Sequence, residues 1–307
     1  MSEVYPPVTA VIATHARPEL LRGVLRSVFA QNYPGDLDVV VVYDQAEPEP
    51  GLADEFPGER LEVITNTRTP GLAGARNSGV LHAIGDFIAF CDDDDDWFPE
   101  KLTAQFALRN GDPNVGVVAT GVVVTYDGDE HPRVPDRDRL TKHDLLQSRV
   151  FAAHPSSVVV HRRMMIDEIG LVDEEIPGSY GEDYEWILRA AAVTEIAVVT
   201  RPLVLVRWHA GGSFFSDRWL LMVDGIDYIL EREPEFASHP RGLAYMYGRQ
   251  AFALAAAGRG GEARSKALDA LKADWKERRA YLALAVSWRL VSADRLMQMA
   301  HRRGRGI

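Results

Sequence analysis

Residues 8–13 are an apolar run of strand length. After the turn Thr14-His15-Ala16-Arg17 comes Pro18, a residue suited to a first helical turn, and then Leu20, Leu21, Val24, Leu25, Val28 and Phe29 recur at helical spacing. Tyr33-Pro34-Gly35 stops that helix, and residues 37–43 predict the next strand. Its centre, Val39-Val40-Val41-Val42, is too apolar to face water on either side, as in a parallel strand covered on both faces. Residues 61–64 predict a third strand, 74–83 a helix and 87–91 a fourth strand. This alternation through short connections predicts a Rossmann-like, doubly wound α/β sheet, in which ligands bind at the carboxyl ends of the strands. Asp44 and the run Asp92 to Asp96 fall at such ends.

Past Pro99 the pattern predicts a helix to about residue 109 and strands at 115–119 and 122–125. A hairpin turn at Tyr126-Asp127-Gly128-Asp129 then leads into a polar, proline-bearing mobile loop over 130–139. Strands at 157–161, 196–200 and 203–207 and a helix at 182–192 complete the sheet region. Composition changes near Phe215, which divides the chain into a sheet domain, 1–215, and an α-helical C-terminal region, 216–307. That region predicts helices at 219–231, 242–257, 261–273 and 278–291. The middle two resemble a tetratricopeptide-like hairpin. One such unit buries too little alone, so it is expected to pack on the sheet domain or on a partner, a second copy included.

Composition adds exclusions. With 307 residues, 46% hydrophobic and 26% charged, the chain has room for one large soluble domain or a domain and an appendage. A net charge of -11 argues against general nucleic-acid binding. Cys91 is the one cysteine, so no internal disulfide forms and a reducing compartment fits. No apolar stretch approaches the roughly 18 residues of a membrane span, and the N-terminus lacks the pattern of a signal peptide. The expected location is the cytoplasm. The basic end Arg302-Arg303-Gly304-Arg305 reads either as a frayed tail or as a peripheral contact with the inner membrane face.

The five consecutive aspartates carry the most information. Neighbouring carboxylates repel one another unless something cationic neutralises them. A run that interrupts an apolar stretch in mid-domain reads either as a solvated acidic loop or as a site for a hard divalent cation and the phosphates it bridges.

Seven blocks, in order, resemble the family-2 glycosyltransferases, which have a GT-A fold. They are Val11-Ile12-Ala13-Thr14-His15-Ala16-Arg17 (against V-I-P-T-Y-N-R), Ser27 to Pro34, Val41-Val42-Tyr43-Asp44, Gly71 to Gly79, Phe90 to Trp97 (against F-L-D-x-D-D-x-W), Gly181-Glu182-Asp183-Tyr184, and Arg207-Trp208-His209 with Ser213 beyond. The resemblance covers about residues 8–213. It departs at Tyr43, where the family has a first Asp, and at Ala13-Thr14-His15-Ala16, where it has Pro-Thr-Tyr-Asn.

The resemblance implies an inverting, metal-dependent transfer of a sugar from a nucleotide-diphospho-sugar, a UDP-sugar foremost, to an acceptor hydroxyl. It implies Mn2+ or Mg2+ held by Asp92 and Asp94, with His209 either a further ligand or a structural histidine. Thr14, Arg17, Asp44, Arg76, Asp92, Asp93 and Asp95 are implied at the donor, Asp95 towards its sugar, while Asp96 is expected to be solvated. Asp44 reads alternatively as a strand-end cap, and Arg76 as a structural ion pair. Asp183 is the expected general base, unless Glu182 and Asp183 only favour the positive end of a helix. Glu182 and Trp186 are expected at the acceptor or sugar, Trp186 alternatively in the core. His154, Ser156 and Ser157 read as donor contacts or as loop structure, and Cys91 as a small buried hydrophobe. The acceptor stays open between a glycan, a lipid-linked chain and a small molecule. The competing readings are a nucleotidyltransferase, which would open with a Gly-rich loop that Thr14 to Pro18 lack, and a non-catalytic nucleotide-binding scaffold.

Overall fold

The computed structural model of the chain describes residues 5–112, 114–148, 154–208 and 218–304. Strands β3 (Arg60–Thr65), β2 (Leu37–Tyr43), β1 (Val8–Thr14) and β4 (Phe87–Asp92) lie side by side and parallel in that order. The sheet continues through β9 (Val159–His161), antiparallel to both β4 and β6 (Val117–Tyr126). Next come β10 (Ile196–Arg207), parallel to β6, and the short β5 (Asp96–Trp97). β7 (Asp129–Arg133) pairs with β6, and β8 (Arg139–Leu140) with β10.

The valine run has a simple explanation. Successive side chains of a strand point to opposite faces, and here both faces are covered. Val11, Val40, Val42, Ile88 and Phe90 join the core under α2 (Leu72–His82) and α6 (Glu182–Val193). Ile12, Val39, Val41, Ala89 and Cys91 join a second core under α1 (Pro18–Phe29) and α3 (Lys101–Asn110). Parallel register then aligns three strand ends. Thr14 stands opposite Tyr43 and Ala13 opposite Asp92.

Several elements differ from the sequence expectations. The two strands expected at 115–125 are one, β6, because Thr120 and Gly121 are accommodated within the ladder. The strands at 196–207 are likewise one, β10, with register shifts on either side of Pro202, which has no N–H to give the ladder. The expected loop after Gly128 begins as β7, since the Asp127-Gly128 turn, with φ of 54° and 88°, closes a hairpin. Helix α4 (Lys142–Gln147) was not expected, although its capping box, Thr141 with Asp144, is visible in the sequence. A single turn, α5 (Arg162–Met164), follows β9.

The C-terminal helices are α7 (Trp219–Arg232), α8 (Pro240–Ala256), α9 (Gly260–Ala273), α10 (Arg278–Ser287) and α11 (Ala293–His301). The long helix expected over 278–291 ends at Ser287. Arg289 then takes a φ of 59°, and Ser292 caps α11 through the Arg295 N–H. Ala251, Ala253, Ala263, Ala267, Ala270, Ala280 and Ala283 are buried where α8, α9 and α10 meet, so small side chains set their close spacing. They belong to the same apolar cluster as Val11 and Phe90 of the sheet. A Cβ on Gly242 of α8 would sit 1.7 Å from the Leu146 carbonyl oxygen of α4, so glycine is required at that approach. No helix among the described residues is long and apolar enough to cross a membrane.

Glu174 ties the segment before α6 to the β3–α2 connection. It accepts from Asn77 Nδ2 at 2.7 Å and Thr69 N at 3.2 Å and pairs with Arg68. Burial pushes its carboxyl up, but hydrogen bonds from Asn77, Arg68 and Thr69 outweigh that and hold it down at about 2.

Two stability outcomes follow. Gly242→Ala should cost about 1–3 kcal/mol by forcing α8 away from α4; chemical denaturation reads this as a lower midpoint. Glu174→Gln should cost stability at neutral pH. Because the folded carboxyl titrates lower than the unfolded one at 4.5, the stabilisation is fully present above that value and lost as pH falls towards 2. The gap between wild type and variant should therefore close in acid, as measured by denaturation at a series of pH values.

Candidate active site

The five aspartates occupy the carboxyl edge of the sheet, where β4 ends, turns and re-enters as β5. Asp95 N donates to Asp92 O at 3.2 Å across that turn. The side chains splay. Asp93 and Asp95 are buried, at 5% and 2% exposure, whereas Asp92, Asp94 and Asp96 are half-buried. Each carboxylate has its own partner. Asp92 binds Arg76 Nη2 at 2.5 Å, and Asp93 accepts from Thr14 Oγ1 at 2.7 Å. Asp94 binds Arg17 Nη1 at 2.6 Å, Asp95 accepts from Ser156 Oγ at 2.5 Å, and Asp96 pairs with Arg207. Arg207 also donates to the Asp94 carbonyl at 3.2 Å. Three arginines from three elements thus hold the run, and the expectation of a solvated Asp96 is corrected: Arg207 claims it.

Burial and mutual repulsion act on the inner carboxylates. Burial pushes Asp93 up to about 6, against the pull of Arg17 and Thr14. Asp95 is pushed well above the ordinary range by burial and by Asp92 and Asp94. Beneath the run, Lys101 is fully buried, bonded to Gln105 Oε1 at 3.0 Å and lying 3.9 Å from the centre of the Trp97 ring. Burial brings its ammonium down to about 7. Trp97 Nε1 in turn donates to Ser156 O at 2.9 Å, which fixes the serine that holds Asp95. Cys91 is buried with its thiol pushed well up by burial, as befits a packing residue.

Arg76 is the link to the rest of the site. It is 3% exposed, and its guanidinium reaches Asp92 with one nitrogen and Glu182 Oε1, also at 2.5 Å, with another. Burial opposes its charge, but Asp92 and Glu182 hold it protonated, above its ordinary value. Burial drives Glu182 up, and Asp183 and Asp92 add to that against Arg76. Glu182 is buried, with its carboxyl oxygen against the Arg76 guanidinium. Asp183 is half-buried in the first turn of α6, after Gly181 in the left-handed conformation, and lines a cavity with Arg76, Phe90 and Val158. Trp186 lines the same cavity but is 4% exposed; it donates to Gly170 O at 3.0 Å and meets Phe90 edge to face. Its ring is buried, in keeping with the core alternative given for Trp186.

Asp44 is 8% exposed and faces its own neighbourhood. Its carboxylate accepts from Asn66 Nδ2 at 2.8 Å and from Gly71 N at 3.0 Å, and its carbonyl meets His15 Nδ1 at 2.7 Å. Burial raises its carboxyl, but Asn66, Gln45 and Gly71 outweigh that and hold it below the ordinary range. Ala16 takes a φ of 54°, a conformation that Asn, the family's residue there, adopts more readily.

The set expected for a metal was Asp92, Asp94 and His209. His209 lies outside the described residues. Among those described, Asp92, Asp95 and His154 bring ligand atoms within 4.8 Å of one another, while Asp94 turns to Arg17. Two carboxylates and an imidazole fit a divalent cation such as Mn2+ or Mg2+. Sequence reasoning named Arg207 within its motif but gave it no role beside the aspartates; the signal was the charge of the run itself, which demands cations. Lys101, buried against Trp97 and Gln105 beneath the run, offered no signal, being one lysine in a helix.

Residues 9–169 match the model of the family described as Glycosyl transferase family 2. An uncharacterised glycosyltransferase of Bacillus subtilis (strain 168), YwdF, is 29% identical over 60% of this chain and 68% of its own length. A UDP-Glc:alpha-D-GlcNAc-diphosphoundecaprenol beta-1,3-glucosyltransferase of Escherichia coli, WfgD, is 31% identical over 33% of this chain, and the match spans 40% of that relative. Among solved structures, residues 1–349 of TarS from S. aureus superpose with a TM-score of 0.63 at 18% identity, covering 97% of this chain and 92% of TarS 1–349. The mannosyltransferase PcManGT of Pyrobaculum calidifontis, in complex with GDP-Man and Mn2+, gives 0.57 at 20% identity, covering 95% and 83%. The family match spans more than half of the chain, and the solved structures share its fold: this protein belongs to glycosyl transferase family 2 and is a glycosyltransferase with a GT-A fold.

Proposed function

We propose that the protein transfers a sugar from a nucleotide-diphospho-sugar, with UDP as the nucleotide, to an acceptor hydroxyl by a single displacement that inverts the anomeric carbon. The observation that carries this reading is the Arg76 bridge. By binding Asp92 and Glu182 together, it sets the acidic run beside the start of α6, where Asp183 stands. TarS structures with UDP and with UDP-GlcNAc share the fold and support the donor class.

In this reading the donor lies along the carboxyl edge, with Asp44 towards the base or ribose and Thr14, Arg17 and Asp93 below the phosphates. The arginine fork of Arg17 suits phosphate oxygens and leaves Asp94 when they arrive. Asp92 and Asp95 with His154 would hold the divalent ion, Asp94 entering the set once released by Arg17. When bound, the ion supplies Lewis-acid neutralisation of the diphosphate. Asp183 takes the proton of the acceptor hydroxyl as its oxygen bonds to the anomeric carbon and the bond to the diphosphate breaks. One base and no protein nucleophile give inversion. The single, buried Cys91 agrees with a cytoplasmic setting.

Asp183→Asn should lower turnover by about 10²–10⁴-fold with donor affinity close to wild type, measured by product formation and by calorimetric titration with UDP-sugar. Transfer that survives this change would move the base elsewhere. A chelator should abolish turnover and added Mn2+ or Mg2+ restore it. His154→Ala and Asp92→Asn should each raise the metal concentration for half-maximal rate by tenfold or more, on the order of what losing a metal-site partner costs. If only Asp94→Ala does so, His154 is not a ligand.

A further inference from the structure

The end of the chain is charged oppositely to the rest. From Arg259 onward it carries twelve Lys or Arg and five Asp or Glu, against twenty-two and forty before it. This segment forms α9, α10 and α11, and its outer surface is not only charged. Trp275, Tyr281, Trp288 and Leu290 are 69%, 50%, 56% and 76% exposed, while Ala280, Ala283 and Val286 of the same helical stretch are buried. Arg278, Tyr281 and Trp288 are exposed at positions three and seven apart, one stripe along α10. Tyr281 Oη donates to Trp275 O at 2.8 Å, which puts Trp275 at the head of that stripe, and Lys276 Nζ lies 5.6 Å from the Trp275 ring. Lys276 and Arg289 are exposed beside the aromatic residues.

We propose that this face docks on an anionic lipid bilayer. Trp and Tyr have an apolar body and a polar tip, and Lys and Arg lay an apolar stem beside them while keeping the charge in water, the combination that suits the boundary between headgroups and acyl chains. Charge selects the occupant. Two copies meeting symmetrically through this face would set basic surface against basic surface. A long polyanion such as nucleic acid would run from the patch onto the acidic body. A bilayer apposed to the patch attracts the basic side chains nearest it, and salt screens acidic charge farther away than roughly 8 Å. The docking is independent of the transfer chemistry, so its test does not read transfer.

The full chain is sedimented with vesicles of mixed phosphatidylglycerol and phosphatidylcholine, and with vesicles of phosphatidylcholine alone. It should bind the anionic vesicles at least about tenfold more tightly and leave them as salt is raised. Trp275→Ala with Trp288→Ala, and Lys276→Glu with Arg278→Glu, should each weaken that binding by about tenfold or more while the melting midpoint and UDP binding stay unchanged. Absence of binding to anionic vesicles at low salt overturns the proposal, as does binding indifferent to both double variants. A dimer in light scattering that the same variants abolish, without vesicle binding, overturns it in favour of a second copy.

Discussion

Everything at the carboxyl edge depends on one electrostatic constraint: five adjacent carboxylates at the end of a buried strand. Left to themselves they would repel each other and resist burial. The fold answers by bringing Arg17 from the β1–α1 turn, Arg76 from α2 and Arg207 from the end of β10 to the same place. Thr14 and Ser156 add hydroxyl donors. No two of these residues are close in sequence except Thr14 and Arg17, so the site exists only when the sheet has closed. The acidic run is thus a determinant of the fold at this edge.

Among these partners Arg76 has a different standing. Buried ion pairs add little net stability, because desolvation offsets attraction, yet breaking one strands a charge. A guanidinium between Asp92 and Glu182 therefore specifies geometry more than it adds stability. It couples the end of β4 to the start of α6, two elements that approach the cavity from different sides. Burial raises the carboxyls of the inner Asp93 and Asp95, and Asp92 and Asp94 at the rim are more exposed to incoming ligand.

The C-terminal helices are not a separate body in packing terms. Their alanine seam runs into the same apolar cluster as β1 and β4, and Gly242 lets α8 touch α4 at backbone distance. What sets α9 to α11 apart is the outer surface, basic and aromatic where the rest of the chain is acidic. The core joins the two regions while their surfaces differ in charge.

Much of this was legible in the chain. The Val39 to Val42 run announced a strand covered on both faces, because local apolar pattern acts within a few residues, and the ordered blocks from Val11 to Ser213 announced the fold by their resemblance to a family. The boundaries that failed were those set by pairing: β6 and β10 are single strands since neighbours continue across Gly121 and Pro202, which local pattern reads as breaks. The site divided in the same way. The sequence by itself singled out Asp92 to Asp95 and Asp183 as candidates for the chemistry. Tertiary structure alone decided that Asp95 turns to Ser156 and His154, that Asp94 turns to Arg17, and that Glu182 and Trp186 face inward. The reason is physical: a side chain's direction at a strand end is chosen by partners far along the chain, and only the closed sheet says which partners arrive.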